Sequence, residues 1–203
     1  MARPHDPRIA DQLLNRIADS VLKRGITGLT LRPLASDLGV SARTLNYHFG
    51  GKEQLLLEAI RRLRQRQPEI ARVLSTESEH YTDAAQAMTA TVKRLWKEAR
   101  QPQIQPFLAL YFELATLAIR DPSHYRELFR VLERDWADAI TQNLSKSGVP
   151  QSTAKAAASA ALAGYRGALF LALATGDWEA GDEAMAFLID ALERQLMFHH
   201  RRR

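Results

Sequence analysis

The chain has 203 residues, of which 46% are hydrophobic and 25% charged. These values are ordinary for a soluble protein with a buried core, so extensive disorder is not expected. Because the sequence contains no cysteine, disulfide frameworks and thiolate metal sites are excluded. No signal-peptide pattern opens the chain, and its most apolar segment, 154–175, is interrupted by Lys155 and Arg166. We therefore expect a core helix there, no membrane insertion and a cytoplasmic protein.

The net charge of +5 is concentrated in the first third of the chain. Residues 1–66 contain 12 Lys and Arg against 6 Asp and Glu, a balance of +6, whereas residues 67–203 contain 16 against 17, a balance of −1. A basic segment of this kind is typical of nucleic-acid-binding proteins. A solvated basic surface would have the same composition, so charge alone does not decide between the two.

Apolar residues recur three and four positions apart along nearly the whole chain, and Gly, Pro and Asp separate the periodic segments. The predicted helices cover approximately 8–24, 31–38, 42–49, 52–67, 81–100, 103–119, 122–147, 150–175 and 179–199. No strand or sequence repeat is predicted, so the expected fold class is all-α. We expect an N-terminal three-helix domain at 1–52 and a larger helical domain at 53–203, with the helix at 52–67 connecting them.

The second and third predicted helices have the spacing of a helix-turn-helix, in which two short helices cross through a tight turn. Ala35 is small enough to let the next helix approach, and Gly39 tolerates the left-handed backbone that ends the first helix. Ser41 is a favourable N-cap for the second helix of the pair. Leu45 and Phe49, four residues apart, are expected to point into the core.

The opposite face of the same helix is expected to be exposed. It carries side chains that can contact DNA: Arg43, Thr44, Asn46 and Tyr47. Arginine can bond guanine, asparagine can bond adenine, and a threonine methyl can contact the thymine methyl in the major groove. An ordinary helical hairpin with a solvated face is the alternative interpretation.

The N-terminal region resembles the DNA-binding region of tetracycline-repressor-type (TetR family) regulators over roughly residues 8–63. The resemblance is carried by Leu29-Thr30-Leu31-Arg32, Leu34-Ala35, Gly39-Val40-Ser41, Thr44-Leu45 and His48-Phe49-Gly50-Gly51-Lys52-Glu53-Gln54-Leu55. It implies an all-helical homodimer with a three-helix DNA-binding head and a larger body that binds a small effector. Such a protein regulates transcription in response to its ligand, usually as a repressor of a palindromic operator. We expect effector binding to shift the helix at 52–67 and so to change the spacing of the two heads.

One position departs from the family pattern. Members of the family usually have tyrosine directly after the Thr-Leu pair, but here Asn46 takes that place and Tyr47 follows. We expect Asn46 to contact a base edge or a phosphate and Tyr47 to take part of the backbone role. Lys52, at a helix start where phosphate is attracted, and Thr30 are further phosphate candidates. His48 is either near the DNA backbone or packed between helices.

The C-terminal body is rich in aromatic residues that could enclose an effector. The candidate lining residues are Trp96, Phe107, Tyr111, Tyr125, Phe129, Tyr165 and Phe170. For any single one of them, an ordinary core position is the alternative. Glu113 and Arg166 lie within apolar runs, where a buried charge must be paired, so they could pair with each other or bind a polar group of the ligand.

The last two long helices are expected to form the dimer interface as an isologous four-helix bundle. The predicted contact residues are Ala154, Ala158, Ala161, Leu162, Leu188, Leu192 and Leu196. The alternative is that these residues pack within one subunit.

Catalytic function has little support in the sequence. No His-x3-His pair or His-Glu-x2-His motif is present, and no glycine-rich phosphate loop follows a strand. We therefore expect no catalytic residues, no metal and no cofactor. A helical module that binds other proteins remains the principal alternative to a DNA-binding regulator.

Overall fold

The computed structural model describes residues 7–67, 70–72 and 83–200. The principal helices are α1 (Pro7–Arg24), α2 (Leu31–Leu38), α3 (Ala42–Phe49), α4 (Lys52–Gln65), α5 (Ala84–Ala99), α6 (Gln105–Arg120), α7 (Pro122–Lys146), α8 (Gln151–Thr175) and α9 (Trp178–His200). The described residues include no strand, and the predicted all-α class is confirmed. Most of the helix ends lie within three residues of those predicted from the sequence. Pro68 and residues 81–82, which the sequence places at helix ends, lie outside the described part.

The chain divides into two compact units. The first comprises residues 1–67 and 102–132, and the second comprises residues 68–101 and 133–203. The first unit therefore contains α1–α4 together with α6 and the beginning of α7. This grouping differs from the expected division after residue 52, because α4 and α6 both pack with the N-terminal helices.

In the first unit, α1 and α4 pack together through apolar stripes that the three- and four-residue spacing predicts. Ile17, Leu55 and Leu56 are fully buried in this core. Arg62 of α4 pairs with Asp11 of α1, and Arg62 also donates a hydrogen bond of 3.1 Å to Asn15 Oδ1. These contacts fix the direction of the helix that follows α3.

In the second unit, two glycines allow helices to pack closely. A Cβ atom on Gly164 would lie 2.8 Å from Cδ2 of Leu188, so the Leu188 side chain on α9 would have to move to accept a larger residue on α8. A Cβ atom on Gly181 would lie 2.8 Å from the ring of Trp96, so the indole ring on α5 would likewise have to move. The indole Nε1 of Trp96 donates a hydrogen bond of 2.7 Å to Asp182 Oδ1.

Six of the seven predicted dimer-contact residues are already buried inside a single chain, so their assignment to the dimer surface is wrong. Their exposed fractions are 0% for Ala154, 0% for Ala158, 2% for Ala161, 8% for Leu162, 5% for Leu192 and 3% for Leu196. Leu188 is partly exposed but packs on Gly164 of the same chain. The sequence pattern identified the apolar face of each helix correctly, and that face serves the packing within the subunit.

α8 is long and apolar enough to cross a membrane by length and composition alone. This property is weak evidence, because the core helix of a soluble protein has the same composition. Ten of the 25 residues of α8 are alanine, and the helix packs against α5 and α9.

Candidate nucleic-acid interface

The turn between α2 and α3 has the geometry that the sequence predicts for a helix-turn-helix. Gly39 ends α2 in the left-handed region, with φ of 68° and ψ of 29°. The Val40 amide donates to the Ala35 carbonyl at 3.0 Å, and the Gly39 amide donates to the Ser36 carbonyl at 3.1 Å. This pair of hydrogen bonds closes the helix end and turns the chain directly into α3.

Ser41 caps the start of α3, as predicted. The Thr44 amide donates a hydrogen bond of 3.0 Å to Ser41 Oγ, and the two hydroxyl oxygens lie 2.8 Å apart. Thr44 is therefore half-buried at the start of the helix, with its hydroxyl engaged by the cap. Its methyl group remains the part of the side chain that could contact a thymine methyl.

The outer face of α3 consists of polar and aromatic side chains. Leu45 and Phe49 are buried, with exposed fractions of 0% and 4%. Arg43 and Asn46 are exposed, and Tyr47 is 62% exposed. The helix thus presents an arginine, an asparagine and a tyrosine from a face whose opposite side is fixed in the core.

The two remaining candidates on the head have different surroundings. Thr30 occupies the N-cap position of α2 and is exposed, but its side chain makes no cap hydrogen bond. His48 is half-buried, and its ring meets that of Tyr47 edge-on with 5.2 Å between centroids. The distance from the His48 ring centroid to that of Phe49 is 6.3 Å. Both ring contacts of His48 are with its neighbours along α3.

Lys52 begins α4 but reaches another part of the first unit. Its Nζ donates a hydrogen bond of 2.8 Å to the hydroxyl oxygen of Tyr125, and it lies 5.2 Å from the centroid of the Tyr125 ring. Tyr125 is only 7% exposed. One of the three N–H donors of the ammonium is thus used within the protein, and two are left for a phosphate.

Glu113 and Arg166 do not pair with each other, because each has another partner. Arg166 forms an ion pair with Glu133 within the second unit. The Glu113 carboxylate accepts hydrogen bonds from the backbone amides of Ile26, at 3.0 Å to each oxygen, and Thr27, at 2.7 Å. The sequence carried no signal for this contact, since 86 residues separate the carboxylate from the turn that it binds.

The expected effector-lining residues fall into two groups. Phe107, Tyr111, Tyr125 and Phe129 belong to the first unit, and Trp96, Tyr165 and Phe170 belong to the second. Tyr111 packs on Phe129 with ring centroids 5.6 Å apart. Phe170 is 50% exposed on the outer side of α8, so its assignment to an enclosed cavity is wrong.

Tyr165 is a buried residue of the second unit with a structural hydrogen bond. Its hydroxyl donates to the Leu95 carbonyl at 3.1 Å, and its ring meets that of Trp96 edge-on at 6.2 Å. Burial raises the pKa of the Tyr165 hydroxyl well above its usual range, so the group remains neutral. Within the described ranges, no group of three or more His, Asp or Glu side chains is placed to hold a metal ion.

Comparison with known proteins agrees with this geometry. Residues 13–59 match the family model of bacterial regulatory proteins of the tetR family. A transcriptional regulator from Rhodococcus sp. Rha1 is similar over 95% of this chain and 96% of its own, with 22% identity and a TM-score of 0.61. A TetR transcriptional regulator from Legionella pneumophila is similar over 94% of this chain and 98% of its own, with 16% identity and a TM-score of 0.60.

A third similar structure is that of the multidrug binding protein EbrR complexed with proflavin, which covers 88% of this chain and 98% of its own, with 23% identity and a TM-score of 0.57. No curated protein sequence matches this one significantly. The family resemblance predicted from the sequence is confirmed. The pair α2–α3 lies within the residues that match this family model.

Proposed function

We propose that this chain is a member of the tetR family of bacterial regulatory proteins and a repressor that binds a palindromic DNA operator as a homodimer and releases it when a small molecule binds. The observation that carries the proposal is the outer face of α3, where Arg43, Asn46 and Tyr47 are exposed while Leu45 and Phe49 anchor the helix. Such a face fits the major groove.

Phosphate contacts are expected at three places around this helix. Lys52 keeps two donors beyond its bond to Tyr125 and begins α4, where the helix dipole favours an anion. Thr30 is exposed at the start of α2. Tyr47 can donate its hydroxyl to the DNA backbone. The excess of positive charge in residues 1–66 supports the same surface, because it raises the affinity for DNA of any sequence.

Dimerisation is supported by an apolar stripe on the exposed side of the last two helices. On α8 the exposed small or apolar residues recur three or four positions apart: Ala156, Ala160, Ala163, Gly167, Phe170, Leu171 and Ala174. On α9 they are Ala180, Ala184, Phe187 and Ala191. Phe187 is 73% exposed and Leu171 is 60% exposed in the single chain. We infer that these two stripes meet those of a second copy in an isologous four-helix bundle.

The proposed effector is a small molecule. Similarity to EbrR, a multidrug binding protein solved with proflavin, supports a small-molecule ligand for this chain as well. Within the first unit, the aromatic side chains of Phe107, Tyr111 and Phe129 suit an apolar or aromatic ligand. Repression relieved by such a ligand requires that the ligand bind the two states of the dimer with different affinity.

Selection from a random duplex library with the full-length protein would test operator binding. The expected product is an enriched inverted repeat whose half-sites are about one helical turn, or a multiple of it, apart. Enrichment of a single unrepeated site would contradict the dimer model. Failure to enrich any sequence would contradict sequence-specific DNA binding and favour a helical module that binds proteins.

A further inference from the structure

The turn between α1 and α2 is held by a side chain from a distant part of the first unit. α1 ends where the Gly25 amide donates to the Val21 carbonyl at 2.9 Å. Among the described residues, the next two amides, of Ile26 and Thr27, donate to no backbone carbonyl. They donate to the two oxygens of Glu113 on α6 instead, over distances of 2.7 to 3.0 Å. Two consecutive amides that converge on one anion form a compact binding site for it.

The close approach of α6 depends on glycine. Gly25 has a φ of +79°, and a Cβ atom there would lie 2.7 Å from Glu113 Oε2. Any other residue at this position would therefore be strained and would push the carboxylate away from the amides. A carboxylate near the C-terminal end of α1 is also disfavoured by the helix dipole. The three hydrogen bonds must offset that repulsion.

We propose that Glu113 is a positioning residue for operator binding: from α6, its carboxylate holds the α1–α2 turn in the arrangement that places α2 and α3 for DNA. Thr27 lies three residues before Thr30, the first residue associated with α2 and a candidate phosphate contact. Hydrogen bonds of 2.7 to 3.0 Å weaken steeply when the partners separate, so a shift of α6 by about 1 Å would release the turn. This inference rests on the proposed operator binding.

Loss of the carboxylate should displace the turn without unfolding the head. Leu34 and Leu38 of α2 are 3% and 6% exposed, so their apolar burial holds α2 in the core separately from the turn. Arg24 also pairs with Asp37, which joins the end of α1 to α2 independently of Glu113. Glu113→Gln keeps the size of the side chain but gives it an amide donor that faces two other donors. Glu113→Asp keeps the charge and shortens the reach.

The test combines amide exchange with DNA binding in the full-length protein. Exchange at Ile26 and Thr27, measured by NMR, should accelerate about tenfold or more in both variants while the other head amides keep their protection. Affinity for the duplex selected by the wild-type protein should fall by about tenfold. The matched control is Glu127→Gln on α7, which is exposed and removes the same charge. Because removal of a negative charge alone should slightly raise affinity for DNA, a decrease specific to Glu113 is diagnostic.

Two results would overturn the inference. Unchanged exchange at Ile26 and Thr27 in both variants would show that the carboxylate does not hold the turn. Accelerated exchange with the same DNA affinity as the Glu127→Gln control would show that the turn does not position the DNA-binding surface. If Glu113→Gln fails to fold, amide exchange and DNA affinity of Glu113→Asp test the inference instead. Failure of the wild-type protein to select any duplex contradicts the proposed function itself and is seen before any variant is made.

Discussion

The ammonium of Lys52 is held by Tyr125, through a hydrogen bond of 2.8 Å to the hydroxyl oxygen and a distance of 5.2 Å to the ring centroid. Lysine loses up to about 2 kcal/mol of rotamer entropy when its side chain is ordered. An ammonium that is already held in place therefore loses less freedom when it meets a phosphate. Tyr125 acts here through Lys52 and is buried too deeply to contact DNA itself.

Tyr125→Phe should lower the affinity for the selected duplex by about threefold, because it removes the hydroxyl and keeps the ring. In a Lys52→Ala background, the same substitution should have no effect. The measurement is a double-mutant cycle by fluorescence anisotropy at one salt concentration. A threefold loss that persists without Lys52 would contradict the role assigned to Tyr125.

Asn46 and Tyr47 should contribute to operator binding in different ways. Asn46→Ala should cost about tenfold or more in affinity for the selected duplex if the side chain contacts a base, and it should relax the preference at one base pair. Tyr47→Phe, which removes only the hydroxyl, should weaken binding to all duplexes by a similar factor. Unchanged affinity in both variants would show that α3 lies differently in the groove.

The apolar stripe of α8 and α9 predicts where the dimer can be broken. Phe187→Asp places a charge at a side chain that is 73% exposed in the single chain, so it should leave the subunit folded and shift the protein toward monomers. Sedimentation velocity at micromolar concentration would measure this shift. Glu183→Asp, at an exposed position one turn away on α9, is the control and should remain dimeric. A wild-type protein that sediments as a monomer would contradict the dimer.

Asp182 should make the stability of the second unit depend on pH. Its hydrogen bonds from Trp96 and Arg100 hold the pKa of its carboxyl below the usual range. A lowered folded-state pKa means that the stabilisation is present above the usual pKa of aspartate and is lost as the pH falls through the lowered value.

Asp182→Asn should therefore lower the Tm near neutral pH, and the difference from wild type should shrink as the pH falls below the usual pKa of aspartate. Thermal unfolding followed by circular dichroism over this pH range measures it. Glu183→Gln, at the neighbouring exposed position, should show no such difference. A Tm difference between Asp182→Asn and wild type that stays constant down to the lowest pH would contradict the ion pair as its source.

The sequence was sufficient to predict the helices and the helix-turn-helix because both depend on local signals. Gly39 ends α2 and Ser41 caps α3 through hydrogen bonds that span no more than five residues. The apolar spacing likewise placed Leu45 and Phe49 in the core. Each of these features is determined by neighbours along the chain.

Contacts between distant segments could not be predicted from the sequence. A glutamate within an apolar run suggested a buried charge, but nothing in the run indicated that Glu113 would bind the backbone of Ile26 and Thr27. The dimer surface was misassigned for a related reason. Both sides of α8 carry alanine, so periodicity alone could not show that Ala158 packs inside the subunit while Ala160 is exposed.

The most direct test of the central claim is the salt dependence of DNA binding by the full-length protein. A dimer that contacts six to ten phosphates should lose about 10³-fold or more in affinity for the selected duplex between about 50 and 200 mM salt. It should also bind that duplex far more tightly than a scrambled one at each salt concentration. Affinity that changes little over this range, or that is equal for the two duplexes, would contradict the assignment of α3 as an operator-reading helix.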